Sequence, residues 1–380
     1  MISEPTYLAA RMVSGTISNH FAYHLETADC AGKCNLAPQP ELQCIEAVID
    51  VAFWASLRRE EGHSPKISLA LLPPEKAKQP LMFKHRLRLT PHNLTKLGPA
   101  VEKAGIHLGV WHDEKGMYVW GSVLNLPGIC FVLEVIEPGL LVVKHSRADG
   151  FGKFINVAIL KGDEIKIVNE RRLGMGDSPA LVASLLGMPL PDSQDDAVNV
   201  LIELAGAMRE HGRGGLVLVV PANSYAWHDS IVHPISYPIV PAYCGISDLM
   251  KEDISERSKP SWREALTRAI DTVGGFTAVD GATVITHEYD MLAFGVKVTR
   301  SKNSMPAQEI LMTEPVEDST GALIHPAQNG GTRHLAAAQF VNDQRDSLAL
   351  VASQDGHFTI FSWSSQLDRV HAHRIDALLL

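Results

Sequence analysis

DDAVNVLIELAGAMREHGRGGLVLVV, residues 195–220, couples a helix to a strand, and its reading decides the architecture of the C-terminal half. Ala197, Val198, Leu201, Leu204, Ala205 and Met208 recur at helical spacing and form one apolar face. Acidic residues fill the first turn, where they meet the positive end of the helix dipole, and Ser193 or Asp195 offers an N-cap oxygen. Glycines within residues 212–215 end the helix. Leu216–Val220 is short, apolar throughout and rich in β-branched residues, which predicts a central strand buried on both faces.

Downstream, residues 221–244 are rich in proline and carry Trp227, His228, His233 and Tyr237, and they read as a loop. A helix follows over about 261–270, then strands over 278–286, 292–298, 348–352 and 357–363, with an Ala-rich helix over 332–341. In the tail, Leu367, Val370, Ile375, Leu378 and Leu379 have near-helical spacing, so 366–380 is expected to be a helix that docks or joins a dimer contact. Upstream, the stretch 187–195 holds two prolines and breaks both periodicities, which sets a boundary near residue 190. Residues 1–190 read as an α+β domain, with a helix over 40–62 and strands over 67–72, 107–111, 117–122, 129–135, 140–144 and 164–169. The expected class is therefore α/β with two domains, 1–190 and 191–365, and a tail 366–380.

The chain has 380 residues, 46% hydrophobic and 20% charged, so most of it should bury a core. A net charge of −9 argues against nucleic acid or an anionic membrane as partner, since both are held by clustered Lys and Arg. The N-terminus lacks a basic flank before an apolar run, and no stretch approaches the roughly 20 apolar residues of a membrane span. The expected location is cytoplasmic. Five cysteines, an odd number without a secretion signal, read as reduced thiols.

Three segments carry chemistry. Asp280-Gly281-Ala282 opens an apolar run, so its carboxylate would stand at a strand edge, where it can bind a metal ion or a sugar hydroxyl; Asp-Gly is also a common turn dipeptide. Gly330-Gly331-Thr332-Arg333-His334 leads into the Ala-rich helix. Free N–H groups, a hydroxyl and a guanidinium there suit a phosphate, and an ordinary helix capped by Thr332 is the other reading. Val351-Ala352-Ser353-Gln354-Asp355-Gly356 is a strand ending in a polar turn, which suits a hairpin or a Ser contact to phosphate.

In this order the segments resemble the diadenylate cyclase family, whose pattern is Asp-Gly-Ala at a strand, Gly-Thr-Arg-His-Arg at a helix start and Ser with acidic neighbours at a strand end. Residues 214–220 also look like that family's early central strand, and the resemblance spans roughly residues 195–365. It implies a diadenylate-cyclase-like mixed sheet flanked by helices, which binds ATP with Mg²⁺ or Mn²⁺ and condenses two ATP into cyclic di-AMP and pyrophosphate. Asp280 would hold the metal and act catalytically. Gly281, Ala282, Gly331, Thr332, Arg333, His334 and Ser353 would bind the nucleotide and its phosphates. Each domain supplies half of the reacting pair, which implies a homodimer or higher homo-oligomer. The chain departs from the pattern at Val279, where the family has His, at Leu335, where it has Arg, and at Gln354-Asp355, where it has Glu. These departures suit the alternative, a catalytically silent sensor of a nucleotide or cyclic dinucleotide in a signalling or defence system.

Other signals are weaker. His20, His24, Cys30 and Cys34 have ligand types for zinc but no common finger spacing; surface and core residues near a loose N-terminus are the plainer reading. Trp227-His228-Asp229-Ser230 has the residue types of a triad, which needs convergence in space rather than adjacency. Trp227, His233 and Tyr237 read as either a base pocket or core anchors. His112–Gly116 reads as a hairpin turn, and Lys84-His85-Arg86 and His371-Ala372-His373-Arg374 as solvated faces.

Overall fold

The computed structural model describes residues 5–32, 35–147, 154–169, 179–186, 192–302, 304–317, 319–328 and 330–380. The chain forms two compact units, one ending at Asn169 and one running to Leu379. Cys34 and residues 187–191 of the expected linker lie outside the described residues.

The first unit comprises α1 (Leu8–Cys30), α2 (Leu42–Ser56), β1 (Ile67–Leu71), β2 (Leu81–Arg88), α3 (Pro91–Leu97), β3 (His107–Asp113), β4 (Gly116–Val123), β5 (Phe131–Glu137), β6 (Leu140–His145), β7 (Ile155–Lys161) and β8 (Glu164–Ile167). Its sheet runs β2-β4-β3-β1-β5-β6-β7-β8, with β1 and β3 parallel and every other neighbour antiparallel. Val13, Ile17 and Phe21 of α1 and Ile45, Val48, Ile49 and Ala52 of α2 share one core with Leu69, Leu71, Leu108, Val110 and Leu133. Ala70, Leu72, Trp120 and Val132 alternate to the opposite face and form a smaller cluster. Helix α1 is not apparent in the sequence, because small or polar residues (Ala9, Ala10, Ser14, Ala28) occupy several of its buried positions and no side chain caps its start.

The second unit comprises α4 (Ala180–Leu185), α5 (Asp192–Glu210), β9 (Gly215–Val220), β10 (Tyr237–Tyr243), α6 (Gly245–Met250), α7 (Ile254–Arg257), α8 (Pro260–Phe276), β11 (Ala282–Thr286), β12 (Met291–Val296), β13 (Ile310–Thr313), β14 (Ala322–Ile324), α9 (Thr332–Asp343), β15 (Leu348–Ala352), β16 (Phe358–Ser364), β17 (Arg369–Arg374) and α10 (Asp376–Leu379). Its sheet runs β10-β12-β11-β9-β15-β16-β17-β13-β14. The pairs β9–β11 and β13–β17 are parallel and the rest antiparallel, so both sheets are mixed and the protein is α/β. All six residues of β9 are buried, as its apolar run predicts. Leu216, Leu218 and Val220 meet Ala337, Ala338, Phe340 and Val341 of α9. Val217 and Val219 alternate to the other face. Helix α5 packs on β15, α8 packs on α5, and α4 packs on α5, which ties α4 to this unit.

Two expectations change. The segment 366–380 is not a helical tail: residues 369–374 form a strand between β16 and β13, and only Asp376–Leu379 is helical. The period of two is masked because the alternate positions are His371 and His373, both buried rather than solvated, between core residues Val370 and Ala372. Residues 237–243, read as loop, are β10 at the edge of the sheet, where Pro238 and Pro241 are tolerated because an edge strand needs fewer N–H donors.

Candidate functional site

The topology brings three chain ends together. In the parallel pair β9–β11, Ala282 stands beside Leu216, so both strands begin at the same sheet edge. Strand β15 runs the other way and ends there, with Ala352 beside Gly215. A cavity of about 910 Å³ opens at this edge, lined by Asp280, Gly281, Ala282, Lys297, Arg300, His325, Thr332, Arg333 and Leu335 among others. A recess of about 150 Å³ is lined by Gly331, Thr332, Arg333, His334 and residues 351–355, including Ser353. Thr332 and Arg333 line both spaces, so all eight residues singled out from the sequence border one or the other.

Backbone geometry explains two of the glycines. Gly281 has φ +103°, and a Cβ there would lie 2.5 Å from the carbonyl carbon of Gly295, so only glycine lets the Asp280 turn cross β12. Gly214 has φ +71°, and a Cβ there would lie 2.8 Å from Nη1 of Arg333; the guanidinium rests against this bare backbone.

The electrostatics are one-sided. Lys297, Arg300 and Arg333 line the cavity, and among the described residues none of their side chains has an ion-pair or hydrogen-bond partner. Among the described residues, Asp280 is the single carboxylate of the lining. A protein of net charge −9 thus gathers three unpaired cations around one cavity. Helix α9 adds its N-terminus: no side chain caps it, and Thr332 lies inside its first turn rather than at the cap, with its hydroxyl exposed.

His334 and Ser353 sit differently. His334 is only 4% exposed, its Nε2 lies 3.5 Å from Oγ1 of Thr359, and a Cβ on Gly330 would meet its ring. Burial pushes its pKa down to about 4, so at neutral pH it carries no charge and braces the start of α9 against β16. Ser353 closes the β15–β16 hairpin: its N–H donates to the His357 carbonyl at 2.8 Å, and its hydroxyl oxygen accepts the His357 N–H at 3.1 Å. Ser353 also lines the recess.

The depressed pKa of His334 gives a test. The unfolded state takes up a proton near pH 6.5 and the folded state only near 4, so stability is retained above 6.5 and falls as the pH drops between these values. The loss approaches about 3 kcal/mol. Denaturant titrations across this range should show a slope that is reduced in His334→Gln.

Lys297, Arg300 and His325 were not anticipated. The available signal was Lys297-Val298-Thr299-Arg300, one cation near the end of the predicted strand 292–298 and one just beyond it. The proposed base pocket does not form: Trp227 is buried in the core, His233 stacks on His228, and Tyr237 stacks on Phe294, all outside the cavity lining. Ser230 is fully buried and accepts from Gln344 Nε2 at 2.8 Å, so residues 227–230 present no nucleophile.

Asp280 belongs to no group of three metal-ligand side chains among the described residues. One carboxylate fits Mg²⁺ or Mn²⁺ only as an ion that takes its remaining ligands from phosphates and water.

None of the described helices is long and apolar enough to cross a membrane. Comparison with curated proteins gives no match. A family model described as "Probable sensor domain DACNV" matches residues 34–124, the part of the first unit that runs from before α2 to the end of β4. This segment of the chain is therefore similar to a probable sensor domain.

Proposed function

We propose that the second unit binds an adenine nucleotide, ATP in the first instance, in the cation-lined cavity, in the manner implied by its resemblance to the diadenylate cyclases. The observation that carries this reading is that Asp280 and Arg333, far apart in sequence, line one cavity together with the unpaired Lys297 and Arg300. Arg333 offers a planar fork to phosphate oxygens, and the uncapped start of α9 adds N–H groups and the Thr332 hydroxyl. Lys297 and Arg300 neutralise the remaining phosphate charge. Gly281 lets the turn cross close over β12, which holds Asp280 at the cavity wall. A divalent ion held by Asp280 and the phosphates would supply further charge neutralisation. Asp280 is then placed to accept the proton of a ribose 3′-hydroxyl. In the cyclase reading two chains face one another, each 3′-hydroxyl attacks the α-phosphate of the other ATP, and two pyrophosphates leave.

The second reading, a silent sensor, is favoured by one feature of the cavity. Leu335, 41% exposed, lines it at the position where the cyclases carry a second Arg, so one phosphate-binding charge is replaced by an apolar side chain. The similarity of residues 34–124 to a probable sensor domain is compatible with either reading.

Incubating the protein with ATP and Mg²⁺ or Mn²⁺, with products read by mass spectrometry, separates the two. Cyclic di-AMP made by the wild type and lost in Asp280→Asn establishes the cyclase. Saturable binding of ATP or cyclic di-AMP without product establishes the sensor, and absence of both rejects the nucleotide site. Because the cations are exposed or half-buried, affinity should fall several-fold between about 100 and 500 mM salt in either case, a change on the order expected when a Debye length of ~10 Å shrinks toward ~4 Å.

A further inference from the structure

The first unit gathers three imidazoles at one point. His20 and His24 stand one turn apart on α1, the spacing that puts two side chains on the same helix face. His145, the last residue of β6, meets them with ring centroids 5.4 Å and 5.3 Å away, while the two helix rings are 4.3 Å apart. One ring nitrogen from each of the three lies within 4.8 Å of the others. A tetrahedral zinc with bonds of ~2.0–2.1 Å sets separations of about 3.3 Å, so binding would draw the three rings together by at most about 1.5 Å.

Two further observations point inward. The Nε2 of His20 is buried and has no hydrogen-bond partner among the described residues. His145 is 1% exposed, and its Nδ1 lies 2.7 Å from the carbonyl oxygen of Ser146. With Nδ1–H donating to that carbonyl, the lone pair resides on Nε2, which is how metal-ligating histidines are commonly oriented. Phe21 packs its ring against both His20 and His145 and shields the cluster on one side. Burying a polar nitrogen without a partner is costly, and a cation shared by three lone pairs removes that cost in one step. The sequence suggested His20, His24, Cys30 and Cys34, but Cys30 is exposed at the end of α1 and is not part of the group. The third histidine comes from a strand remote in sequence, so spacing could not reveal it.

We propose that His20, His24 and His145 form a binding site for a divalent transition-metal ion of the zinc class, with three imidazole ligands and an open coordination position. A neutral-imidazole set without thiolate or carboxylate suits Zn²⁺ and its late first-row neighbours and disfavours Mg²⁺ and Ca²⁺. The ion links α1 to the end of β6, closing a long loop, so occupancy stabilises the first unit. The site lies outside residues 34–124 and does not depend on the nucleotide reading of the second unit.

The test uses the full chain without an affinity tag, stripped with chelator and titrated with Zn²⁺ and with Co²⁺. The expected result is one equivalent bound per chain, the visible bands of four-coordinate Co²⁺, and a Zn²⁺-dependent rise in Tm. All three should be lost in His24→Gln, whose half-buried position leaves the fold intact by circular dichroism, with affinity reduced at least a hundredfold. Cys30→Ser should behave as wild type. Absence of one-equivalent binding, binding unchanged in His24→Gln, or binding lost in Cys30→Ser instead would overturn the proposal.

Discussion

Gly281→Val is expected to destabilise the second unit by about 4 kcal/mol, a large share of the roughly 5–15 kcal/mol that holds a domain folded, and to lower its melting temperature accordingly. Two effects add. A β-branched residue at φ +103° is forced into a backbone region essentially reserved for glycine, at a cost of roughly 1–3 kcal/mol. Its Cβ would also lie 2.5 Å from the backbone of Gly295, and because the obstacle is main chain it cannot be relieved by turning a side chain. Overpacking of this kind costs about 1–3 kcal/mol and more where the wall is rigid. Thermal or denaturant melts of wild type and variant measure the loss. Melting within 1 kcal/mol of wild type would mean that the turn before β11 is not the one described.

Arg333→Glu is expected to lower affinity for ATP by a hundredfold or more with little loss of stability. A charge-assisted hydrogen bond contributes about 1.5–3 kcal/mol, a factor of roughly ten to over a hundred, and reversing the charge adds repulsion. Arg333 is half-buried and has no acidic partner among the described residues, so its replacement orphans no buried carboxylate. Lys297→Ala and Arg300→Ala, on more exposed backbone, should each cost only several-fold. Equilibrium binding together with a melt for each variant separates affinity from folding.

What could be read from the sequence follows from how each element earns its stability. Helix α5 carries an apolar face at helical spacing, β9 is a continuous apolar run and α9 is rich in alanine, and they were legible. Helix α1, which buries Ala9, Ala10, Ser14 and Ala28 alongside larger groups, was not. Strand β17 was missed because His371 and His373 fill one of its buried faces, and β10 because prolines were read as loop. At the candidate site, Asp280, Thr332 and Arg333 were legible because a strand edge and a glycine-led helix start are places where polar groups gather. Lys297, Arg300 and His325 were not, since their relevance depends on β12 and the segment before α9 folding back over the same cavity. His334 follows Arg333 by one residue, about 100° around α9, and that rotation turns it inward, where it is buried and neutral while still bordering the recess.

In the proposed reading, the cavity between Asp280 and Arg333 holds a nucleotide. Calorimetric titration of ATP with Mg²⁺ into the full chain at low salt tests it most directly, with Arg333→Glu as the comparison. Saturable binding of one nucleotide per chain, weakened at least a hundredfold in Arg333→Glu, is the expected result. No saturable binding by the wild type, or equal affinity in a folded Arg333→Glu, would contradict it.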